Sequence, residues 1–229
     1  MTLNIIPVFC NQKQMANYAY IINPLKSNNA IIIDAAEAYP IQEALKNLNL
    51  TPTHIITTHH HFDHVEGNLP LKEKYNLQIL APSDEFDKIP GADIPIYANQ
   101  DFNIHNITFT PIKAEGHTLG HLIYYIKQEE ALFTGDVLFN LCVGGLFEGT
   151  KEQMFNTLQT IKNLKDSTKI FPGHEYTHSS LTKELIENPK FSPYLEKFYS
   201  RINGKLAPTT LQEEKLFNPY LQIDNINQF

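Results

Sequence analysis

The chain has 229 residues, 42% of them hydrophobic, which suits one large domain or one domain with a small appendage. A formal charge of -7 argues against a general nucleic-acid binder, and no run approaches the ~20 apolar residues that span a bilayer. Met1 to Pro7 lacks the basic and long apolar regions of a signal peptide, and two cysteines, Cys10 and Cys142, make no disulfide framework. The expectation is a cytoplasmic protein with reduced thiols, a monomer by default, with neither membrane nor nucleic-acid partner.

Short β-branched runs at Ala19 to Ile22 and Ala30 to Ile33 are predicted strands, separated by the turn residues Asn23-Pro24 and Ser27-Asn28-Asn29. Ile41, Ala44, Leu45 and Leu48 then recur at helical spacing, with Pro40 suited to a first turn. A strand at His54 to Thr57 follows, and strand–helix–strand order predicts parallel pairing with the helix on one face. Three more strands are predicted at Phe102 to His105, Ile107 to Ile112 and His121 to Ile126, then a short one at Ala131 to Phe133. Thr150 with Gln153 reads as a capping box opening a helix with the stripe Met154, Leu158, Ile161 and Leu164. Lys169 to Phe171 is a last short strand before Pro172-Gly173-His174. After Tyr176 the texture is helical, with segments from about Ser179, Ser192 and Thr209. The prediction is a strand-rich α/β body over residues 1–176 and a helical region over 177–229.

One cluster dominates the chemistry: Thr57-Thr58-His59-His60-His61-Phe62-Asp63-His64. Imidazole and carboxylate donors suit zinc, iron or manganese. His59 and His61, two apart at a strand end, point the same way and can chelate one ion, while Asp63 and His64 turn toward a second. His117, Asp136 and His174 each follow a predicted strand and a glycine, which lets the backbone turn so that the side chain reaches inward. His60 is expected to point away from its neighbours, and His121 to hydrogen-bond nearby. His54, His105 and His178 read as ordinary core or surface residues.

T-H-x-H-x-D-H, then G-H-T, G-D and G-H, in this order and spacing, resembles the metallo-β-lactamase superfamily, and within it glyoxalase II, the hydroxyacylglutathione hydrolases. Asn17-Tyr18-Ala19-Tyr20, Phe147-Glu148-Gly149-Thr150, Gly173-His174-Glu175-Tyr176 and Asn218-Pro219-Tyr220 support the likeness. The resemblance implies an αββα sandwich followed by a helical region, with two divalent ions, zinc first and iron or manganese as alternatives. His59, His61 and His117 would hold one, Asp63, His64 and His174 the other, and Asp136 would bridge them. Asp63 would also orient the attacking water. The implied reaction is hydrolysis of S-D-lactoylglutathione to D-lactate and glutathione.

The chain departs from the family pattern where glutathione is gripped. Gly145 stands where the family carries a cation, and Gln222 where it carries arginine. Phe147, Tyr176 and Gln222 are the expected substrate contacts; Arg201, Lys205 and Lys215 are candidates to replace the cations, though each reads first as a solvated surface charge. Another thioester or a lactone is therefore the alternative substrate class. An iron-dependent dioxygenase acting on glutathione persulfide is disfavoured by the complete second ligand set. A non-catalytic scaffold is disfavoured by seven intact ligands.

Overall fold

The strands of this chain alternate not between core and water but between two cores, and that decides the architecture. The computed structural model describes residues 3–11, 13–180 and 208–229. One sheet runs in chain order through β1 (Leu3–Cys10), β2 (Asn17–Pro24), β3 (Asn29–Ile33), β4 (Thr51–Ile56), β5 (Gln78–Pro82) and β6 (Ile94–Ile96). The first pairings are antiparallel, and β3 to β6 are parallel. The second half supplies β7 (Phe102–Ile104), β8 (Ile107–Lys113), β9 (Leu122–Ile126), β10 (Ala131–Gly135), the small hairpin β11 (Leu138–Phe139) and β12 (Cys142–Val143), then β13 (Lys169–Pro172) and β14 (Thr209–Thr210). Its six-stranded sheet has the order β14-β13-β10-β9-β8-β7.

Period-2 alternation sorts these side chains into layers. Tyr20, Ile22, Ile31 and Ile33 face Phe109, Tyr124, Ile126, Phe133 and Phe171 between the sheets. Ala19, Ile21, Ala30 and Ile32 turn outward onto Ile41 and Leu45 of α1 (Ala38–Leu48) and Leu71 of α3 (Asn68–Tyr75); α2 (Phe62–Val65) is a single turn between them. On the far side Ile123, Leu132 and Ile170 meet Met154, Leu158 and Ile161 of α4 (Lys151–Lys162) and Leu211 of α5 (Leu211–Phe217). The result is the αββα sandwich expected. Each fully buried large side chain contributes roughly 1.5–3 kcal/mol, which is why the inter-sheet layer holds together without a disulfide.

The parallel β3–β4 pair, α1 and the Thr150–Gln153 capping box stand where the sequence puts them. The C-terminal stretch is less purely helical than expected. Thr209 and Thr210 pair antiparallel with Ile170 and Lys169 as β14, and the helix begins only at Leu211, under a second capping box from Thr210 and Glu213. The segment expected near Ser192 lies outside the described residues. Two side chains fasten this stretch, Asn140 in the turn of the β11–β12 hairpin and Glu214 in α5. Asn140 donates to Thr177 at 3.0 Å and accepts from Thr209 at 3.2 Å, so one amide holds the chain on both sides of residues 181–207. Glu214, fully buried, accepts from the Leu141 N–H and the Asn218 amide at 3.0 Å each.

Burial pushes the Glu214 carboxyl up from 4.5 to about 7. A folded-state pKa above the unfolded one means that this group's stabilising effect is full below pH 4.5 and fades as the pH rises to about 7. Glu214→Gln is expected to remove that slope, ~3 kcal/mol across the window. Thermal unfolding of both proteins at several pH values checks it; identical slopes would refute it.

Candidate metal centre

Four strands deliver the site to one edge of the sandwich. β3 ends at Ile33 and is followed by Asp34, β4 by Thr57-Thr58-His59, β10 by Asp136, and β13 by Gly173-His174. His117 comes from the β8–β9 connection. Two tyrosines brace this edge across the layers. Tyr20, in the first sheet, donates to the Pro172 carbonyl of the second at 2.5 Å. Tyr124, in the second, donates to the Thr57 carbonyl of the first at 2.6 Å. Two glycines make the approach feasible. Gly135 has φ +46°, and a Cβ there would lie 2.7 Å from both His121 Nε2 and Thr58 Oγ1; one on Gly173 would lie 2.5 Å from Asp136 Oδ1.

The structure brings all seven sequence-predicted donors together. Three groups have ligand atoms mutually within 4.8 Å: His59, His61 and His117; His59, His64 and Asp136; and Asp63, His64 and His174. Asp136 is central, its oxygens 3.1 Å from His64 Nε2, 3.2 Å from His174 Nε2 and 3.4 Å from His117 Nε2. Asp63 Oδ2 lies 3.4 Å from His174 Nε2.

The hydrogen bonds behind the rings decide which nitrogen faces inward. Carbonyl oxygens only accept, so His117 Nδ1 donates to Gly145 O at 2.7 Å and His174 Nδ1 to Met15 O at 2.8 Å. His64 Nδ1 donates to Asp34 Oδ2 at 3.0 Å. Thr58 donates its hydroxyl to the same oxygen and therefore accepts from His59 Nδ1 at 3.0 Å. All four imidazoles thus present Nε2 to the centre, as metal-ligating histidines held by outer partners do. His59 Nε2 is buried with no partner at all, and His117 Nε2 stands 2.9 Å from His61 Nδ1. Buried imidazole nitrogens in that arrangement need a cation between them, and nitrogen and carboxylate donors without a thiolate fit a divalent one.

Electrostatics agree. Burial and the neighbouring His64 hold the His59 imidazole well below its usual pKa, and burial lowers those of His61 and His117. Burial alone would raise Asp63, but His174, His64 and Asn17 outweigh it and bring the carboxyl down to about 2. Against the same burial, Asp136 and Asp63 lift His174 to about 9. Asp136 and Asp34 likewise raise His64. The carboxylates attract positive charge that a divalent ion supplies more fully than protons on two histidines.

Several supporting residues escape a reading of the sequence. Asp34 receives Thr58 N–H and His64; its signal is an acidic residue directly after an apolar strand, at φ 53°. Asn17 holds Asp63 through its side-chain amide, which donates to Asp63 O at 3.0 Å and Oδ2 at 3.1 Å. His121 stacks on His59 at 4.8 Å and accepts from the Asp136 N–H, the nearby hydrogen bond expected of it. His60 turns away from the donors, its Nδ1 2.9 Å from Glu85. His54 and His105 share Thr53 Oγ1, apart from the centre.

Beside the donors opens a cleft of about 390 Å³, lined by Met15, Phe62, Phe139, Gly145, Phe147 and Tyr176 together with the donors themselves. Phe147 and Tyr176, two of the expected substrate contacts, line this cleft. Gln222 is not among the lining residues; it is exposed and donates to the Leu216 carbonyl at 2.6 Å. No lysine or arginine among the described residues lines the cleft. Lys215 pairs with Asp166 at 2.6 Å, and Arg201 and Lys205 lie outside the described residues.

A sequence profile of the metallo-beta-lactamase superfamily matches residues 14–174, the span that carries every donor. Hydroxyacylglutathione hydrolase of Pelagibacter ubique is 39% identical over 90% of this chain and 88% of its own length. The protein of the same name from Bartonella henselae is 39% identical over 91% of this chain and 85% of its own. The chain belongs to the hydroxyacylglutathione hydrolase family of the metallo-β-lactamase superfamily. Among solved structures, ETHE1 from Myxococcus xanthus superposes on this hydrolase fold with a TM-score of 0.76, covering 99% of this chain and 88% of that one at 21% identity. Superfamily membership and the converged donors together make this edge a divalent-metal site.

Asp136→Asn is expected to weaken metal retention about 100-fold or more, since it removes a buried charged donor worth ~3 kcal/mol or more. Metal analysis of the folded variant after dialysis against a graded chelator checks this. Retention equal to wild type would reject Asp136 as a donor.

Proposed function

We propose that the chain is a thioesterase that hydrolyses S-D-lactoylglutathione to D-lactate and glutathione, with two divalent ions at the centre. The observation that carries this reading is the convergence of seven donor side chains beside an open cleft, in a chain 39% identical to hydroxyacylglutathione hydrolases over 90% of its length. His59, His61 and His117 would hold one ion and Asp63, His64 and His174 the other, with Asp136 available to both. Zinc is the first choice for such nitrogen and oxygen donors, with iron or manganese as alternatives. Residues 1–176 carry the catalysis, and 177–229 complete the substrate side.

When bound, such a pair of ions supplies Lewis acidity that brings a water's pKa toward ~7. The chain's own residues do the rest. Asp63, ionised and held by the Asn17 amide, accepts a hydrogen bond from the attacking water and orients it. Asp136 balances the charge of the ions, and Asp34 and Thr58 keep His64 and His59 in the receiving tautomer. Phe62 and Phe147, both exposed on the cleft, cover apolar parts of the substrate. Tyr176, with its phenol raised to about 12 by burial, Asp136 and Asp63, stays a neutral hydrogen-bond donor at neutral pH. It stacks on His174 at 4.9 Å and so has a fixed place beside the reacting centre.

Metal-loaded protein is expected to release free thiol from S-D-lactoylglutathione, followed with a thiol reagent. No turnover of that thioester with brisk turnover of another would reject the glutathione assignment. One iron per chain with oxygen uptake would point instead to persulfide oxidation. In the same assay Asp63→Asn is expected to lower kcat about 10²–10⁴-fold with little change in KM.

Gly145 lines the cleft, and a Cβ there would meet only the exposed Phe147 ring, 3.2 Å away. A lysine is therefore accommodated by a small ring shift. Gly145→Lys is expected to lower KM for the glutathione thioester about tenfold through one charge-assisted hydrogen bond. It should leave an uncharged thioester unaffected; equal changes for both would show that position 145 does not meet the glutathione carboxylates.

A further inference from the structure

Besides Asp34, a second buried carboxylate near the centre is not among its donors. Glu85 sits in the 3-10 turn that follows β5, 2% exposed, and spends both oxygens on two different loops. Its Oε2 accepts from the His60 backbone N–H at 2.7 Å, between His59 and His61. Its Oε1 accepts from the Thr118 hydroxyl at 2.5 Å and the Gly120 N–H at 3.0 Å, directly after His117. The contact is built into the backbone, because a Cβ on Gly120 would lie 2.4 Å from Glu85 Cγ. His60 Nδ1 lies 2.9 Å from Glu85 but outside hydrogen-bonding geometry, and its Nε2 is 3.5 Å from Glu148. Glu148 in turn accepts from the Leu119 N–H at 3.1 Å, and its own N–H donates to the His117 carbonyl.

We propose that Glu85 is a positioning residue for the metal centre, fixing the loop of His59 and His61 against the loop of His117. Those three donors come from opposite sheets, β4 and the β8–β9 connection. Outside the β-ladders one backbone bond joins the two loops near this point, from Leu122 N–H to the Thr58 carbonyl. A carboxylate with two oxygens and at least three donors sets both the distance and the orientation between them, which a single peptide bond pair cannot. A metal bound by all three histidines requires that spacing before it arrives, so loosening it lowers affinity rather than the chemistry of any one ligand.

The proposal rests on the divalent-metal reading of the centre, and its test separates the two. Purified wild type, Glu85→Gln and Leu45→Ala are stripped, reloaded with zinc and titrated against a competing chelator, with thermal unfolding on the same samples. Glu85→Gln keeps the shape but turns an NH2 donor toward either the His60 N–H or the Gly120 N–H, neither of which can accept, and zinc affinity is expected to fall about 10–100-fold. Leu45→Ala, in the core beneath α1, is expected to lower the melting temperature without changing zinc affinity. Thr118→Val removes one arm and leaves Glu85 in place; it serves if Glu85→Gln does not fold, with an expected loss of about tenfold. At saturating zinc, Glu85→Gln should recover most of its kcat. Zinc affinity within twofold of wild type in folded Glu85→Gln, or in Thr118→Val where the former fails to fold, would overturn the proposal alone. A wild type that holds no divalent ion would overturn the reading of the centre and this proposal with it.

Discussion

The charge on Asp136 is the constraint from which the rest of this structure follows. Its carboxylate is 6% exposed, and an isolated ionised group in such a place costs several kcal/mol. Three imidazole nitrogens within 3.4 Å supply its surroundings, each turned inward by a hydrogen bond on its far side. None of these rings is held by solvent. Gly145 O, Met15 O and Asp34 hold the three rings, so two loops and the end of β3 must all be in register before Asp136 is tolerated.

The sandwich meets that demand by closing both sheets at the same edge. Parallel β3–β4 and parallel β10–β13 each end there, and the inter-sheet layer sets how far apart they end. The Tyr20 and Tyr124 hydroxyls convert that packing distance into a fixed separation of backbone carbonyls, one reaching the end of β13 and the other the loop after β4. Apolar packing is non-directional; these two bonds and the Glu85 carboxylate give it direction where ligands are carried.

Much of this was legible in the sequence because its determinants are local. Four donors lie within His59 to His64, and the glycines before His117, Asp136 and His174 mark the sharp turns that expose them. Two-core alternation in Tyr18 to Ile22 and Leu122 to Ile126 carries the layer structure. What was hidden depends on partners far along the chain. Thr209 and Thr210 look like a helix start and are one, but they also pair with Lys169 and Ile170, forty residues upstream. Asp34, Asn17 and Glu85 are ordinary polar residues until the fold sets them 24 to 46 positions from what they hold. Gln222 illustrates the converse: its place in a family motif suggested the cleft, while its side chain caps the carbonyl of Leu216.

Asn140 carries a consequence of a different kind. One amide grips Thr177 on the way out and Thr209 on the way back, in the turn of the hairpin that follows Asp136. Thr177 and Thr209 are 32 residues apart in the sequence, and this one amide brings them to the same point. A change at Asn140 would therefore be felt at two distant points of the chain at once, beside the hairpin that follows Asp136.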